Sequence, residues 1–343
     1  MWEKLSTPRR SLSSDSEEIP DMDQWCEDWM SNLPKELLDI PLTHLAIPGS
    51  HDTMSYCLDI SSPLVRSESD LFRVLDGLCC CLTRPTVFKW ATTQDCCIED
   101  QLSMGIRYFD LRVAHKPDDP SSELYFTHIL YTHVTVLDTL RSVAAWLESH
   151  PKEVVILACR HFEGLSDALH HFFICNLKKL FGAKLCLPDW SLRRLWASGR
   201  QVLLSYDADV ASRHAELLPS IPYWWANQRT ACAAINFLEW NKQLGRPQGF
   251  FVAGLNLTAY RKYIITNPKQ SLRTLTWAQW QSLSEWVKQQ APGSEPHSLN
   301  IIAGDFVGPL PLCPLVVGLN RKLNNSQHDL IRPAVHRLCH AAA

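Results

Sequence analysis

Residues 136–159 read VLDTLRSVAAWLESHPKEVVILAC. Leu137, Leu140, Val143, Ala144 and Leu147 recur at helical spacing on one face, so Val136 to Ser149 is expected to be a helix. The run Val154 to Cys159 is apolar without interruption, which suits a strand buried on both faces. The same alternation extends in both directions. Leu42 to Ile47, Arg107 to Ala114, Leu124 to Leu130, Val202 to Ser205, Phe250 to Leu255 and Asn300 to Gly304 read as strands. Leu165 to Phe181 and Leu275 to Gln290 read as helices. Strands and helices in alternation, with buried strands, imply a parallel α/β fold. Seven strands are clear, and an eighth, near Ile221 to Trp225, is doubtful. Eight would close a (β/α)₈-type barrel; seven would leave it distorted or open. A doubly wound sheet is the competing arrangement, but no G-x-G-x-x-G follows the first strand and no P-loop occurs.

The 343 residues are 46% hydrophobic and 20% charged, within the ordinary globular range. With 33 Lys plus Arg against 36 Asp plus Glu, the formal charge is −3, which gives no support to a nucleic-acid partner. Residues 1–24 are rich in Ser and acids (Ser11 to Glu18) and read as a disordered tail. Residues 25–323 form the expected barrel domain, and 324–343 a C-terminal tail. No uncharged apolar run reaches the roughly 18 residues of a membrane helix. With no apolar segment near the N-terminus, the chain reads as intracellular, soluble and cytoplasmic. Thirteen cysteines, an odd number in a long chain, argue against a disulfide framework. Without a C-x-x-C pair a structural zinc site is not expected either. Cys79-Cys80-Cys81 and Cys96-Cys97 read as free, mostly buried thiols. Palmitoylation of the Cys79 cluster is the sharper alternative, with no lipidated segment beside it.

A barrel carries its chemistry at the C-terminal ends of its strands. The first strand runs into Pro48-Gly49-Ser50-His51-Asp52, and the second carries Asp110 and Arg112 on one face by period-two geometry. The others end at Thr127-His128, Arg160-His161, Tyr206-Asp207 and Gly304-Asp305. Charges near a core are costly unless paired, so a paired cluster at one mouth is the economical explanation. Histidines exchange protons near neutral pH, a guanidinium suits phosphate oxygens, and carboxylates orient imidazoles. That set matches phosphodiester cleavage: one imidazole deprotonates a hydroxyl, another protonates the leaving oxygen, and the arginine stabilises the phosphoryl charge.

Leu45-Ala46-Ile47-Pro48-Gly49-Ser50-His51-Asp52-Thr53 resembles the opening motif of the phosphatidylinositol-specific phospholipase C X domain. Gly105-Ile106-Arg107-Tyr108-Phe109-Asp110-Leu111-Arg112 resembles its second motif. Leu124-Tyr125-Phe126-Thr127-His128 with the Trp146 to Val155 passage resembles the third, and Asn300 to Phe306 fits its ending. The resemblance runs from about Trp25 to about Leu323 and implies a single distorted TIM-like barrel acting on a phosphoinositide-type diester. By that resemblance His51 is the general base, Asp305 its supporting carboxylate, His128 the general acid, Asp52 its partner and Arg112 the phosphate-stabilising cation. Asp110, Arg160 and Tyr206 are expected at the substrate, Arg160 where bacterial relatives have a substrate-binding lysine. His133 competes with His128 but lies further past the strand. Asp207 and Glu239 fall in regions that read the head group in the bacterial enzymes, without a residue-by-residue match.

The calcium-dependent eukaryotic enzymes resemble this chain but have Asn after the first histidine and acids across the second motif. Here Asp52 follows His51, and Arg112 stands at an acidic position. The resemblance therefore implies cleavage with no metal and no other cofactor, through a cyclic inositol phosphate. A lipid substrate implies peripheral contact with a membrane surface. Pro222-Tyr223-Trp224-Trp225 is either an interfacial aromatic element or core and strand, the latter preferred. The alternative to an enzyme is a catalytically silent phosphoinositide-binding or scaffold module. A silent relative should have lost a histidine or the arginine, and this chain keeps His51, His128 and Arg112. A diesterase for soluble glycerophosphodiesters would need more acids near the first histidine.

Overall fold

A computed structural model describes residues 26–186 and 191–323. The expected tails, 1–24 and 324–343, lie outside the described residues. The strands are β1 (Ile47–Ser50), β2 (Tyr108–Ala114), β3 (Tyr125–His128), β4 (Leu130–Thr135), β5 (Val155–Glu163), β6 (Val202–Tyr206), β7 (Tyr223–Trp224), β8 (Val252–Gly254) and β9 (Ile301–Gly304). The helices are α1 (Asp70–Ala91), α2 (Ile98–Ser103), α3 (Val136–Ser149), α4 (Asp167–Phe181), α5 (Leu192–Ser198), α6 (Ala231–Leu244), α7 (Arg261–Thr266), α8 (Leu272–Gln289) and α9 (Leu312–Gly318).

Seven strands run parallel in the order β6-β5-β2-β1-β9-β8-β7. Among the described residues no strand ladder joins β6 to β7, so the barrel is distorted and open at that seam. The doubtful strand is real but only two residues long. β3 and β4 form an antiparallel hairpin on the end of β2, which the reading of Leu124 to Leu130 as one more barrel strand did not anticipate. Alternating apolar residues suit either direction of pairing; the turn at Ile129, φ 68°, decides it.

The inner strands are packed on both sides, as their continuous apolar sequence requires. Val155, Ile156, Leu157 and Ala158 of β5, Val202 to Leu204 of β6 and Ile301 to Ala303 of β9 are all buried. Leu140, Val143 and Leu147 of α3 are buried in the same core cluster as β5, and its first turn is capped by Thr135, which accepts from the Asp138 amide. Gly49 has no room for a side chain. A Cβ there would lie 2.9 Å from the Tyr108 ring and 3.1 Å from Ala303 Cβ, so glycine lets β1 sit close against its neighbours.

Beneath the barrel a buried ion pair ties three segments together. Arg107 Nε and Nη2 lie 3.0 and 2.9 Å from Glu153 Oε2, while Glu153 Oε1 accepts from the Ser31 amide and hydroxyl. Both charged side chains are fully buried, and every remaining Arg107 nitrogen has a carbonyl partner.

α1 was not anticipated. Its backbone leaves helical geometry at Cys79 and contains Pro85, two interruptions that break its sequence pattern. Cys79, Cys80 and Cys81 are exposed on it and Cys96 and Cys97 half-buried, which corrects the expectation of mostly buried thiols.

Candidate active site

The C-terminal ends of the strands surround a cleft of about 400 Å³ lined by His51, Asp110, Arg112, His128, Arg160, His161, Tyr223 and Asn256, with Trp90, Ile264 and Leu272 adding apolar lining. His51 and Asp52 follow β1, Asp110 and Arg112 project from one face of β2, His128 ends β3, and Asp305 follows β9. Four segments distant in sequence thus deliver one cluster.

His51 is held on both ring nitrogens. Nδ1 lies 2.7 Å from Asp305 Oδ1, and Nε2 lies 2.8 Å from Arg112 Nη2, with Asn256 Nδ2 at 3.4 Å. A guanidinium only donates, so Nε2 must accept, and the ring proton sits on Nδ1 toward Asp305. Arg112 Nη1 lies 3.1 Å from Asp52 Oδ2, and Nη2 3.5 Å from Asp110 Oδ2. Asp52 Oδ2 is in turn 3.2 Å from His128 Nδ1, which also lies 2.6 Å from the Ala91 carbonyl. That carbonyl can only accept, so His128 Nδ1 carries a proton. The two imidazole rings stand 6.4 Å apart at 80°.

Burial would weaken the Arg112 cation, but Asp52 and Asp110 outweigh it and hold the guanidinium above its ordinary range. Burial likewise opposes ionisation of Asp110, yet Arg112, His51 and Arg160 keep the carboxyl below the usual 3.8. His128 is pushed below 6.5, first by burial and then by Arg112, against the pull of Asp52. His161 moves the same way through burial, Arg112 and Arg160. Arg112 Nε, Arg160 Nε and Asp110 Oδ1 are buried and make no hydrogen bond within the protein. They leave donor and acceptor capacity at the cleft, where a polar ligand would satisfy it.

The expected residues His51, Asp52, Asp110, Arg112, His128, Arg160 and Asp305 are all brought together. Arg160 and His161 lie inside β5, which runs further than its apolar stretch, and the Arg160 guanidinium stands 5.3 Å from the Tyr223 ring. Tyr206 is not brought in. Its hydroxyl is 2.7 Å from His170 Nδ1 of α4, and its ring packs on Phe162. The alternation of β6 turns it outward to the helix layer, which corrects its expected place at the substrate. His133 lies on β4, mostly exposed, 3.8 Å from Asp59, and does not line the cleft. Asp207 lines a different cavity beside Tyr206. Glu239 bonds Lys242 and Trp286 on the helix layer. The aromatic stretch divides: Trp224 packs on Phe251, whereas half-exposed Trp225 lines the cleft.

Other site residues were not legible. Gln94 Nε2 donates to the carbonyls of His51 and Gly304, at 2.8 and 3.0 Å, and its Oε1 accepts from the Val307 amide. Thr93 Oγ1 reaches the carbonyls of His51 and Asp52. Tyr223 Oη donates to Asn256 Oδ1 at 2.8 Å. A Cβ at Gly254 would stand 2.9 Å from Tyr223 Oη and 2.6 Å from Asn256 Oδ1, so glycine there makes room for that pair. Asp52, Ile129, His161 and Phe306 all have positive φ, from 47° to 68°. Each comes one residue after His51, His128, Arg160 or Asp305. Such backbone strain, about 1–3 kcal/mol per residue, gathers where a chain aims side chains at a site.

A protein-family model described as PI-PLC X 1 matches residues 88–239. The PI-PLC X domain-containing protein 1 of Homo sapiens is 48% identical over 302 residues, which cover 87% of this chain and 93% of that protein. The protein of the same name from Mus musculus is 44% identical, covering 93% of this chain and 92% of that one. Among solved structures, the phosphatidylinositol-specific phospholipase C from Listeria monocytogenes superposes with a TM-score of 0.59 at 18% identity, covering 86% of this chain and 98% of that one. A mutant of the Staphylococcus aureus enzyme also gives 0.59, at 13% identity, covering 86% of this chain and 97% of that one. These two structures share the fold, a TIM-type barrel.

Proposed function

The chain belongs to the family of PI-PLC X domain-containing proteins, and from that membership we propose that it is a phosphoric diester hydrolase of the phospholipase C type. The substrate is a phosphoinositide at a membrane surface, cut on the glycerol side of its phosphate. His51 Nε2 takes the proton of the inositol 2-hydroxyl, and that oxygen attacks phosphorus. The bond to the diacylglycerol oxygen breaks as His128 protonates it, leaving a cyclic 1,2-phosphodiester of inositol. Asp305 stabilises the imidazolium formed on His51 and fixes its tautomer, and Asp52 does the same for His128. Arg112 stabilises the equatorial phosphoryl oxygens. Asp110 holds Arg112 from behind, and Arg160 faces the head group.

The observation that carries this reading is the single network His128–Asp52–Arg112–His51–Asp305, with a fixed cation between two imidazoles. Arg112 rests on His51 Nε2, so a bound phosphate that draws the guanidinium away also frees the base. Calcium would need several oxygen ligands. Here Asp52 and Asp110 are both engaged by the Arg112 cation, and among the described residues no group of three or more His, Cys, Asp or Glu is arranged to hold a metal. The donor set does not fit the ion, and Arg112 supplies the positive charge instead.

The test is head-group release from radiolabelled phosphatidylinositol vesicles by the intact chain and by His51→Ala. Release by the former alone is expected. Equal release would remove the catalytic assignment of His51, and no release from either alongside saturable vesicle binding would favour a silent lipid-binding module.

A further inference from the structure

We propose that Cys79, Cys80 and Cys81 form an S-acylation site that anchors the bent helix α1 in a lipid bilayer. Free cysteines behave as small apolar residues and are usually buried. Three in succession, all exposed, depart from that pattern. They also stand where the backbone of α1 bends, φ −137° and ψ 41° at Cys79.

Both ends of α1 are fastened to one neighbourhood. At its start Arg261 Nη2 lies 3.1 Å from Glu68 Oε2 and Nη1 3.4 Å from Ser69 Oγ. At its end Lys89 Nζ donates to the Pro268 carbonyl at 2.9 Å, and Trp90 meets the Tyr263 ring edge-on at 6.0 Å. Two ends converging on α7 and the residues after it make the bend an outward apex. The apex is clasped: Thr83 Oγ1 and Arg84 Nε reach across it to Asp76 at 2.6 and 2.7 Å, and Arg84 also donates to the carbonyls of Ile60 and Ser62. Leu78, 76% exposed, and Val74, 59% exposed, flank the thiols with apolar surface. Accessible thiols on a held apex, beside aliphatic side chains, are what an acyl donor and a bilayer both require.

The chemistry balances without a redox step. A cysteine Sγ attacks the thioester carbonyl of a long-chain acyl-coenzyme A. The carbon–sulfur bond to coenzyme A breaks, a new thioester forms on the cysteine, and the thiol proton passes to the departing coenzyme A thiolate. One chain gives only reversible attachment, whereas two or more give a stable anchor, so three adjacent acceptors allow graded retention. Cys81 lies nine residues before Trp90, which lines the cleft, roughly 14 Å of helix at 1.5 Å per residue. Ile265, 77% exposed, and exposed Lys262 and Lys269 lie on α7 and just after it, in sequence beside the cleft-lining Ile264. An anchor at the bend would therefore keep the cleft close to a lipid surface. The modification stands whether or not the cleft is catalytic; only its benefit for lipid turnover rests on the proposed function.

The full chain expressed in animal cells would be tested by hydroxylamine-dependent acyl exchange and by mass spectrometry of the tryptic peptide 74–89, trypsin sparing the Arg84–Pro85 bond. The wild-type peptide should carry at least one thioester-linked acyl chain. The C79S/C80S/C81S triple variant should lose the signal and pellet with membranes several-fold less. A variant with the exposed Cys175 and Cys232 changed to serine should keep both. An unmodified 74–89 peptide from wild type, a reading that needs no variant, would overturn the proposal. So would a signal that survives the triple change or disappears with the Cys175 and Cys232 pair. Phosphatidylinositol turnover by detergent-solubilised triple variant, assayed separately, shows whether the cleft works independently of the anchor.

Discussion

Arg112 Nη2 lies 2.8 Å from His51 Nε2, a cation donating to the nitrogen that the proposed mechanism needs as a base. The contact is tolerable because Asp52 and Asp110 neutralise the guanidinium from its other sides. It also makes base and cation interdependent: a phosphate that takes the guanidinium exposes the lone pair at the moment it is needed.

Arg112→Ala should therefore lower kcat by about a thousandfold or more, the scale on which removal of a transition-state donor is felt. Arg112→Lys should recover only part of that loss, because an ammonium keeps the charge but cannot span His51, Asp52 and a phosphate together. Steady-state kinetics on phosphatidylinositol micelles would measure both. Full activity in the lysine variant would show that the fork geometry is dispensable.

His128 should titrate below 6.5 in the free protein, since burial and Arg112 outweigh Asp52. The sign follows for each variant. Asp52→Asn removes the group that favours the imidazolium and should lower the midpoint further. Arg112→Ala removes a repelling cation and should raise it. Ring-proton NMR across pH 4 to about 8 would follow both; movement in the same direction for the two variants would contradict the network.

Glu153→Gln should destabilise the fold by about 3–5 kcal/mol, because it strands the buried Arg107 charge. Denaturant unfolding reads the effect directly. A loss below about 1 kcal/mol would mean that water or a rearranged carboxylate reaches Arg107.

Gln94→Leu should remove one of the two donors at each of the buried carbonyls of His51 and Gly304 and strand the Val307 amide, a loss of about 1–3 kcal/mol. Because those carbonyls end β1 and β9, kcat should fall with little change in KM. A rise in KM alone would place Gln94 in substrate binding rather than in positioning.

Much of this architecture was legible because periodicity reports burial. Val136–Ser149 and the core of β5 follow from their apolar spacing alone, whereas the seam falls between β6 and the two-residue β7, the strand that was doubtful in the sequence. The polar residues at strand ends point to one mouth because each would otherwise bury a charge unpaired. What escaped has local causes. β4 and the antiparallel turn depend on the backbone of Ile129, a residue type that does not advertise positive φ. Tyr206 was misplaced because adjacent strand residues face opposite sides, and apolar runs buried on both faces hide which side is which. Gln94 and Thr93 act through loop carbonyls, for which amide and hydroxyl side chains carry no distinctive spacing.

The most direct test of the central claim is ³¹P NMR of phosphatidylinositol vesicles incubated with the intact chain in excess calcium chelator. A guanidinium that replaces the ion predicts a cyclic inositol 1,2-phosphodiester signal that grows at the same rate with and without the chelator. Silence in the chelator, followed by turnover when calcium is restored, would contradict it.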